Sequence, residues 1–426
     1  MKKIIYHLLY TVIVSSSIGI AMPANPPNIV VIISDDQGYD DYGFMGHEQI
    51  KTPRIDKLAS ESLWFKRGYV TTALCCPSLT TMVTGLYPHQ HGYTGNDPVY
   101  KSPTARVPWV DHFSQLPQLP AMLQERGYLS LHTGKYWQGD PAISGFTDTM
   151  GETHRHGSAA SLGIGRDGMQ PIYDFIAKAQ TESKPFLVWY APFMPHTPHT
   201  PPERLLNKYA GSGHHASYFA MCEWLDETCG QLLDHLDEQG LTDNTIIVYI
   251  CDNGWPIQSK ASPSEQGIRT PILIKWPGQI RPHMDDINLA SNLDLAPTIL
   301  AACGLEPAPE MPGINLLDNA AVYNRTTLFA ENYMHDMVDL DSPVASLRAR
   351  SCINKKWKLT IWQDQQPDFP MPAWQWSAPK DTVELFNLKD DPKEKKNLAK
   401  ENPEIVATML KQLNHWWNPN SRSENP

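Results

Sequence analysis

Asn28-Ile-Val-Val-Ile-Ile-Ser34-Asp35-Asp36-Gln37-Gly38 is a short apolar run that stops at two adjacent carboxylates. From Ile29 to Ile33 no polar residue alternates with the aliphatic ones, the pattern of a strand covered on both faces. Thr245–Cys251 has the same character and ends at Asp252-Asn253-Gly254. Around these two runs strand-like and helix-like segments alternate. Helices are expected over 53–60, 116–126 and 215–239, the last with Cys222, Leu225, Cys229, Leu232 and Leu236 at helical spacing. Strands are expected over 129–132, 186–190 and 271–275. The fold class is therefore α/β, a large, mostly parallel mixed sheet flanked by helices. In such sheets functional groups collect beyond the carboxyl ends of the strands, which places Asp35-Asp36 and Asp252-Asn253 on one edge. Either pair alone reads equally as a polar turn. Two of them ending two buried strands point to a hard cation held by oxygen ligands.

The character changes near residue 340. Trp357–Trp362 and 382–388 read as strands joined by a Pro- and Trp-rich loop, and Pro403–Trp416 as a helix. The expected organisation is a leader over 1–21, a main domain over 22–340 and a small antiparallel sheet with one helix over 341–426. The leader rests on Lys2-Lys3, an uncharged, largely apolar stretch to Ile20, and small residues around Ala21, which together describe a cleaved secretory signal and a secreted or periplasmic protein. A formal charge of −11 argues against a nucleic-acid partner but leaves room for a locally basic site. The seven cysteines are too few and scattered for a disulfide scaffold.

Cys75-Cys76-Pro77-Ser78 opens another helical pattern and is followed by Thr84-Gly85-Leu86-Tyr87-Pro88 and His89-Gln90-His91-Gly92. This order resembles the sulfatase signature. Other motifs follow the same family in order: Ser34-Asp35-Asp36-Gln37-Gly38, Thr133-Gly134-Lys135, Pro195-His196-Thr197-Pro198, Cys251-Asp252-Asn253-Gly254, and Lys260 with Glu265 and Gly267-Ile-Arg-Thr-Pro271. Asp294-Leu-Ala-Pro-Thr298 and the stretch from Glu384 through Asp391-Pro392 to Asn397-Leu398 complete the match, which spans almost the whole chain.

The resemblance implies hydrolysis of a sulfate ester, on a sulfated carbohydrate as the partner. Cys75, converted to formylglycine by a maturation enzyme, would be the nucleophile. Its hydrate would attack sulfur with one hydroxyl and expel sulfate when the second is deprotonated. Ca²⁺ would be held by Asp35, Asp36, Asp252 and Asn253, with Cys75 completing the metal set. Lys135, Lys260 and His196 would neutralise sulfate oxygens or protonate the leaving alcohol. His89, His91 and His199 are further substrate-binding candidates. Two positions depart from the family pattern. Leu79 stands where an Arg follows Cys-x-Pro-Ser, and Trp137 stands where a His follows Gly-Lys-Trp. A basic group from elsewhere is then expected in the pocket, with His89, His91, His132, His154, Arg155 and His156 as candidates.

Two other functions stay open at this point: a phosphodiester or phosphonate ester hydrolase of the same superfamily, and a non-catalytic binder of sulfated glycans. The His-rich loop from Pro195 to Pro202 also admits zinc, although its prolines prevent helical presentation of His196 and His199. Trp357, Trp362, Trp374 and Trp376 read either as sugar-stacking rings or as subdomain core.

Overall fold

The computed structural model describes residues 26–420, apart from 101–105, 152–155, 257, 364–368, 370, 373–374 and 376–377. The leader, His154, Arg155, Trp374 and Trp376 lie outside the described residues. Asn28–Ser34 forms the centre of a nine-stranded sheet, flanked on one side by Thr245–Cys251 and on the other by Phe186–Ala191. All seven residues of the central strand are buried, as its unbroken aliphatic pattern requires. Leu129–Gly134 and Asp148–Thr149 extend the sheet beyond Phe186–Ala191, with every pairing parallel. On the other side Arg269–Lys275 runs antiparallel to both Thr245–Cys251 and Leu63–Tyr69, so it alone opposes the common direction. His283–Asp285 and Ala290–Ser291 complete this edge.

Ser34 pairs with Cys251, so the chain leaves both strands at the same level. That register brings Asp35 and Asp252 side by side on the carboxyl edge. Helices cover both faces. Cys75–Thr84 and Leu295–Ala302 pack on one core with Ile29, Val31 and Ile33, while Gln170–Thr181 and Ala216–Glu238 pack on the other with Val30 and Ile32. The alternation of core membership along the central strand is the period-two geometry of a sheet buried on both sides.

A four-stranded antiparallel sheet of Thr327–Tyr333, Leu347–Asn354, Trp357–Trp362 and Val383–Asn387 carries the helix Pro403–Trp416. Its first strand lies ahead of residue 341, so this second unit takes in more of the chain than the change in composition marks. Trp362 is buried with its indole N–H donating to Glu384, and Trp357 packs against the terminal helix, which assigns these two rings to the core. All seven cysteines are buried free thiols. Among the described residues no helix is long and apolar enough to cross a membrane.

Candidate active site

Successive strand residues point to opposite faces of a sheet, so two adjacent carboxylates converge only if the chain leaves the strand between them. It does so here: Asp36 has φ 58°, a left-handed conformation that a short Asp side chain tolerates. Asp36 donates its backbone N–H to Asp252 Oδ1 at 3.2 Å, and Asn253 Nδ2 donates to Asp36 Oδ1 at 2.6 Å. Four residues from two strand ends thus form one cluster.

The other members arrive by different routes. Gly134 ends its strand with φ +85°, and a Cβ there would lie 1.7 Å from the Ala191 carbonyl oxygen. Only glycine lets the chain cross this close and deliver Lys135, whose Nζ donates to Asp35 Oδ1 at 2.6 Å and lies 3.8 Å from Asp252 Oδ2. The loop after Phe186–Ala191 is tied to the central strand by the Asp35 N–H, which donates to the Met194 carbonyl at 3.0 Å. His196 follows, with Nε2 3.4 Å from Asp36 Oδ2 and its ring stacked on Phe193 at 4.3 Å. Lys260 Nζ pairs with Asp36 Oδ1 at 2.7 Å, and the next residue is held by its N–H to the Ala73 carbonyl at 2.8 Å.

Cys75 begins the helix Cys75–Thr84, all ten residues of which are buried. Ser78 fixes the helix in place by accepting from Asn292 Nδ2 at 3.0 Å. The Cys75 thiol points at Asp35 and Asp36, with Sγ 3.8 and 3.9 Å from their Oδ1 atoms. Ligand atoms of Asp35, Asp36, Cys75 and His196 all lie within 4.8 Å of one another. The neighbouring Cys76 faces elsewhere, its Sγ 3.5 Å from Gln138 Nε2.

The cluster is dry: Asp35, Asp36, Asp252, Asn253, Lys135 and Lys260 are at most 4 % exposed. Burial pushes Asp35 up to about 7 even with Lys135 pulling it down. Burial works the same way on Asp36, but Lys260, His196 and Lys135 outweigh it and hold that carboxyl well below its usual range. Both lysines are raised: burial opposes their charge, but Asp35 and Asp36 respectively overcome it. Burial pushes His196 down to about 4 and the Cys75 thiol well up.

Three carboxylates face two ammonium groups, which leaves a deficit of positive charge in a buried site. The deficit has an address. Asp35 Oδ2, Asp252 Oδ2 and Asn253 Oδ1 are buried without a hydrogen-bond partner. Buried unpaired oxygens of this kind are costly unless a cation takes them up. The donor set is all oxygen at these three atoms, which suits a hard divalent ion.

The remaining candidates are placed less centrally. His89 binds Glu331 through Nδ1 and stacks on Trp417 at 4.4 Å, a contact with the second sheet rather than with the Cys75 cluster. His91 is fully buried beneath the helix, between Thr81 Oγ1 at 3.2 Å and the Tyr93 N–H at 3.1 Å. These bonds make it a packing residue. His89 and His91 therefore contribute no basic group to the pocket in place of the Arg that Leu79 replaces, because each ring is committed to its own element. His132 is buried against Tyr136 and Phe146. His199 sits between Tyr218 and Trp255, half-buried.

His156 does reach the cluster's rim, 5.0 Å from the Trp137 ring and 5.6 Å from His196. Trp137 itself lies under Lys135 Nζ at 5.0 Å, and Leu79 is part of the core. Two site residues have no trace in the sequence reading. Phe193 carries both Lys135 and Arg166 over its ring, at 5.5 and 5.6 Å, and burial lowers the Arg166 guanidinium while the Asp35 carboxylate partly offsets this. Arg166 lies in a loop without periodicity or motif. Only the sheet order brings that loop to the strand end beside it.

Three buried oxygens without hydrogen-bond partners beside a cysteine at a helix start, with two lysines and a histidine around them, suit the hydrolysis of an anionic ester. The chain belongs to the sulfatase family, whose model matches residues 27–305, and it is a sulfuric ester hydrolase. A second match, to the N-sulphoglucosamine sulphohydrolase C-terminal family, covers residues 259–418. Among curated relatives, arylsulfatase A of Bos taurus is 28% identical over 469 residues, covering 94% of this chain and 89% of that protein. The N-acetylgalactosamine-6-sulfatase of Canis lupus familiaris is 26% identical over 367 residues, covering 72% and 69%. Among solved structures, Ps i-CgsB in complex with k-i-k-neocarrahexaose superposes with a TM-score of 0.72 at 23% identity, covering 94% of each chain. A structure solved with D-glucosamine-2-N,6-O-disulfate superposes with a TM-score of 0.71 at 18% identity, covering 94% of this chain and all of that one.

Proposed function

We propose that this protein is a secreted or periplasmic Ca²⁺-dependent sulfatase acting on a sulfated carbohydrate, with Cys75 matured to formylglycine as its nucleophile. The observation that carries the reading is the convergence of the Cys75 thiol on Asp35 and Asp36, beside three buried oxygens that lack partners. Asp35, Asp36, Asp252 and Asn253 would hold the ion, which supplies positive charge opposite the sulfate oxygens when bound. Formylglycine at Cys75 would supply a hydrated aldehyde with two hydroxyls, one to attack sulfur and one to be deprotonated. Lys135 and Lys260 would share the charge of the sulfate oxygens, and their ion pairs fix both ammonium groups in advance. His196, held neutral by burial and stacked on Phe193, would exchange a proton with the leaving alcohol. The relatives named for sulfated amino sugars, and the structures solved with sulfated sugars, support a carbohydrate substrate.

The test combines two measurements on purified protein. Peptide mass around Cys75 should show loss of the thiol in favour of the aldehyde, and a Ca²⁺ chelator should abolish release of sulfate from a sulfated oligosaccharide. An unmodified thiol together with chelator-resistant turnover of an aryl phosphodiester would instead support the phosphodiesterase reading. No turnover of either substrate, with retained binding, would support a glycan-binding protein.

A further inference from the structure

A cleft of about 780 Å³ lies beside the buried site and shares two of its loops. Gly38 to Asp41 continues directly from Asp36, and Trp255-Pro256 follows Asn253-Gly254. One wall is the Lys66-Arg67 stretch of the large sheet. The other belongs to the second sheet and contributes Lys355, Lys389 and Lys393. Arg67 ties the walls together by donating to the Asn354 carbonyl at 2.9 Å and to the Lys355 carbonyl, so the cleft is preformed.

Its charge is net positive, with six basic residues lining it against four acids. Lys66, Lys389 and Lys393 have no ion-pair partner among the described residues. Arg67 donates to the Asn354 and Lys355 carbonyls and to the Tyr69 hydroxyl, Lys355 meets the Asn288 amide oxygen and the Tyr323 ring, and neither has an ion-pair partner among the described residues. Two of the acids in the cleft are already engaged. Asp41 accepts from the Tyr218 hydroxyl at 2.6 Å, and Glu265 lies 3.6 Å from Arg269. Asp40 and Asp286 remain at the rim against five cations without acid partners. A chain of net charge −11 that gathers these cations in one concavity focuses a positive potential there. Tyr39 and Trp255, half-buried in the same cleft, add ring surface against which the apolar face of a sugar can lie.

We propose that this cleft is a second site for anionic carbohydrate, holding further sulfated residues of an oligosaccharide whose reacting sulfate lies at Cys75. The proposal rests on the sulfated-carbohydrate reading above and narrows it to substrates bearing more than one sulfate. A long nucleic acid fits less well, because the protein outside the cleft is acidic and repels a polyanion that extends beyond it.

Direct binding tests this apart from turnover. Low-molecular-weight dextran sulfate is titrated into the full-length protein, with neutral dextran and single-stranded DNA alongside, from about 50 to 200 mM salt. Wild type should bind dextran sulfate with a steep salt dependence, and should bind neutral dextran and DNA more weakly. The triple variant Lys66→Ser, Lys389→Ser, Lys393→Ser should bind at least about tenfold more weakly and with a shallower salt slope. A control triple at exposed lysines outside the cleft, Lys51→Ser, Lys184→Ser, Lys411→Ser, should change affinity by less than about twofold. If the cleft triple does not fold, Lys393→Glu alone carries the test, because its side chain is exposed and unpaired. Equal binding by wild type and cleft variants overturns the proposal, as do equal losses in both triples, tighter binding of DNA, and no binding of dextran sulfate. Failure of sulfate-ester turnover would instead strike the hydrolase reading and leave these affinities as measured.

Discussion

Cys75 and Cys76 stand side by side in one helix, yet their thiols meet different chemistry. Cys75 Sγ faces two carboxylates, and Cys76 Sγ faces Gln138, whose amide also donates to Thr80 Oγ1 at 2.8 Å. Cys76→Ala is expected to keep activity within about threefold while costing about 1–2 kcal/mol of stability from the small cavity. Steady-state kinetics and thermal melting measure both effects, and an inactive but folded Cys76→Ala would reverse the assignment. Asp252 is the carboxylate that both receives the Asp36 N–H and leaves an oxygen unpartnered. Asp252→Ala should lose Ca²⁺ from metal analysis together with activity, whereas full Ca²⁺ occupancy would remove Asp252 from the ligand set. The acidic pairs were legible at this scale because each ends an aliphatic run. The His89 and His91 assignments failed because proximity in sequence to Cys75 says nothing about ring direction. One ring turns outward to Glu331, and the other turns under the helix to Thr81.

Strand ends do most of the positioning. Lys135 enters the site because Gly134 turns with a positive φ and passes under the Ala191 carbonyl. Gly134→Ala would place a Cβ in that carbonyl and impose a left-handed conformation on Ala. Destabilisation of about 3 kcal/mol or more is expected, with a large fall in kcat as Lys135 shifts. Melting and kinetics together check this, and a variant with wild-type melting and activity would mean that the close approach is not needed. Elements with plain aliphatic patterns were readable at this scale, and Thr245–Cys251, Trp357–Trp362 and Pro403–Trp416 appear where the pattern places them. Leu63–Tyr69, Thr327–Tyr333 and Leu347–Asn354 were not. Each carries charge inside the strand, and tertiary partners cover it: Glu331 binds His89 and Tyr333, Arg350 binds Asn414, and Arg67 reaches across to Asn354. No local pattern signals such a strand, since its partners lie far away in the chain.

Across the whole molecule, two sheets with separate cores meet near the site, and the interior contains titratable groups in their neutral forms. Burial pushes His91 and His132 down to about 3, below the value near 6.5 of an exposed imidazole. Between those values the unfolded chain takes up protons that the folded one refuses. Stability from these two residues is therefore complete above about pH 6.5 and is lost as pH falls toward 3, by about 2 kcal/mol each at pH 5. Comparison of wild type with His91→Gln isolates one of these contributions from the carboxylates. The stability gap between them should narrow by about 2 kcal/mol from pH 7 to pH 5, and a constant gap would mean that the ring is solvated or charged when folded. The fold class and second-sheet character were visible in the alternation of elements, but the cleft between the sheets was not, because its cations come from segments far apart in the chain. The most direct test of the account is release of inorganic sulfate from a sulfated oligosaccharide by wild type and by Cys75→Ala, each shown to be folded. Ca²⁺-dependent release by wild type and a loss of at least about 10³-fold in Cys75→Ala are expected. Equal release by the two proteins, or none by a Ca²⁺-loaded wild type with Cys75 converted, would contradict it.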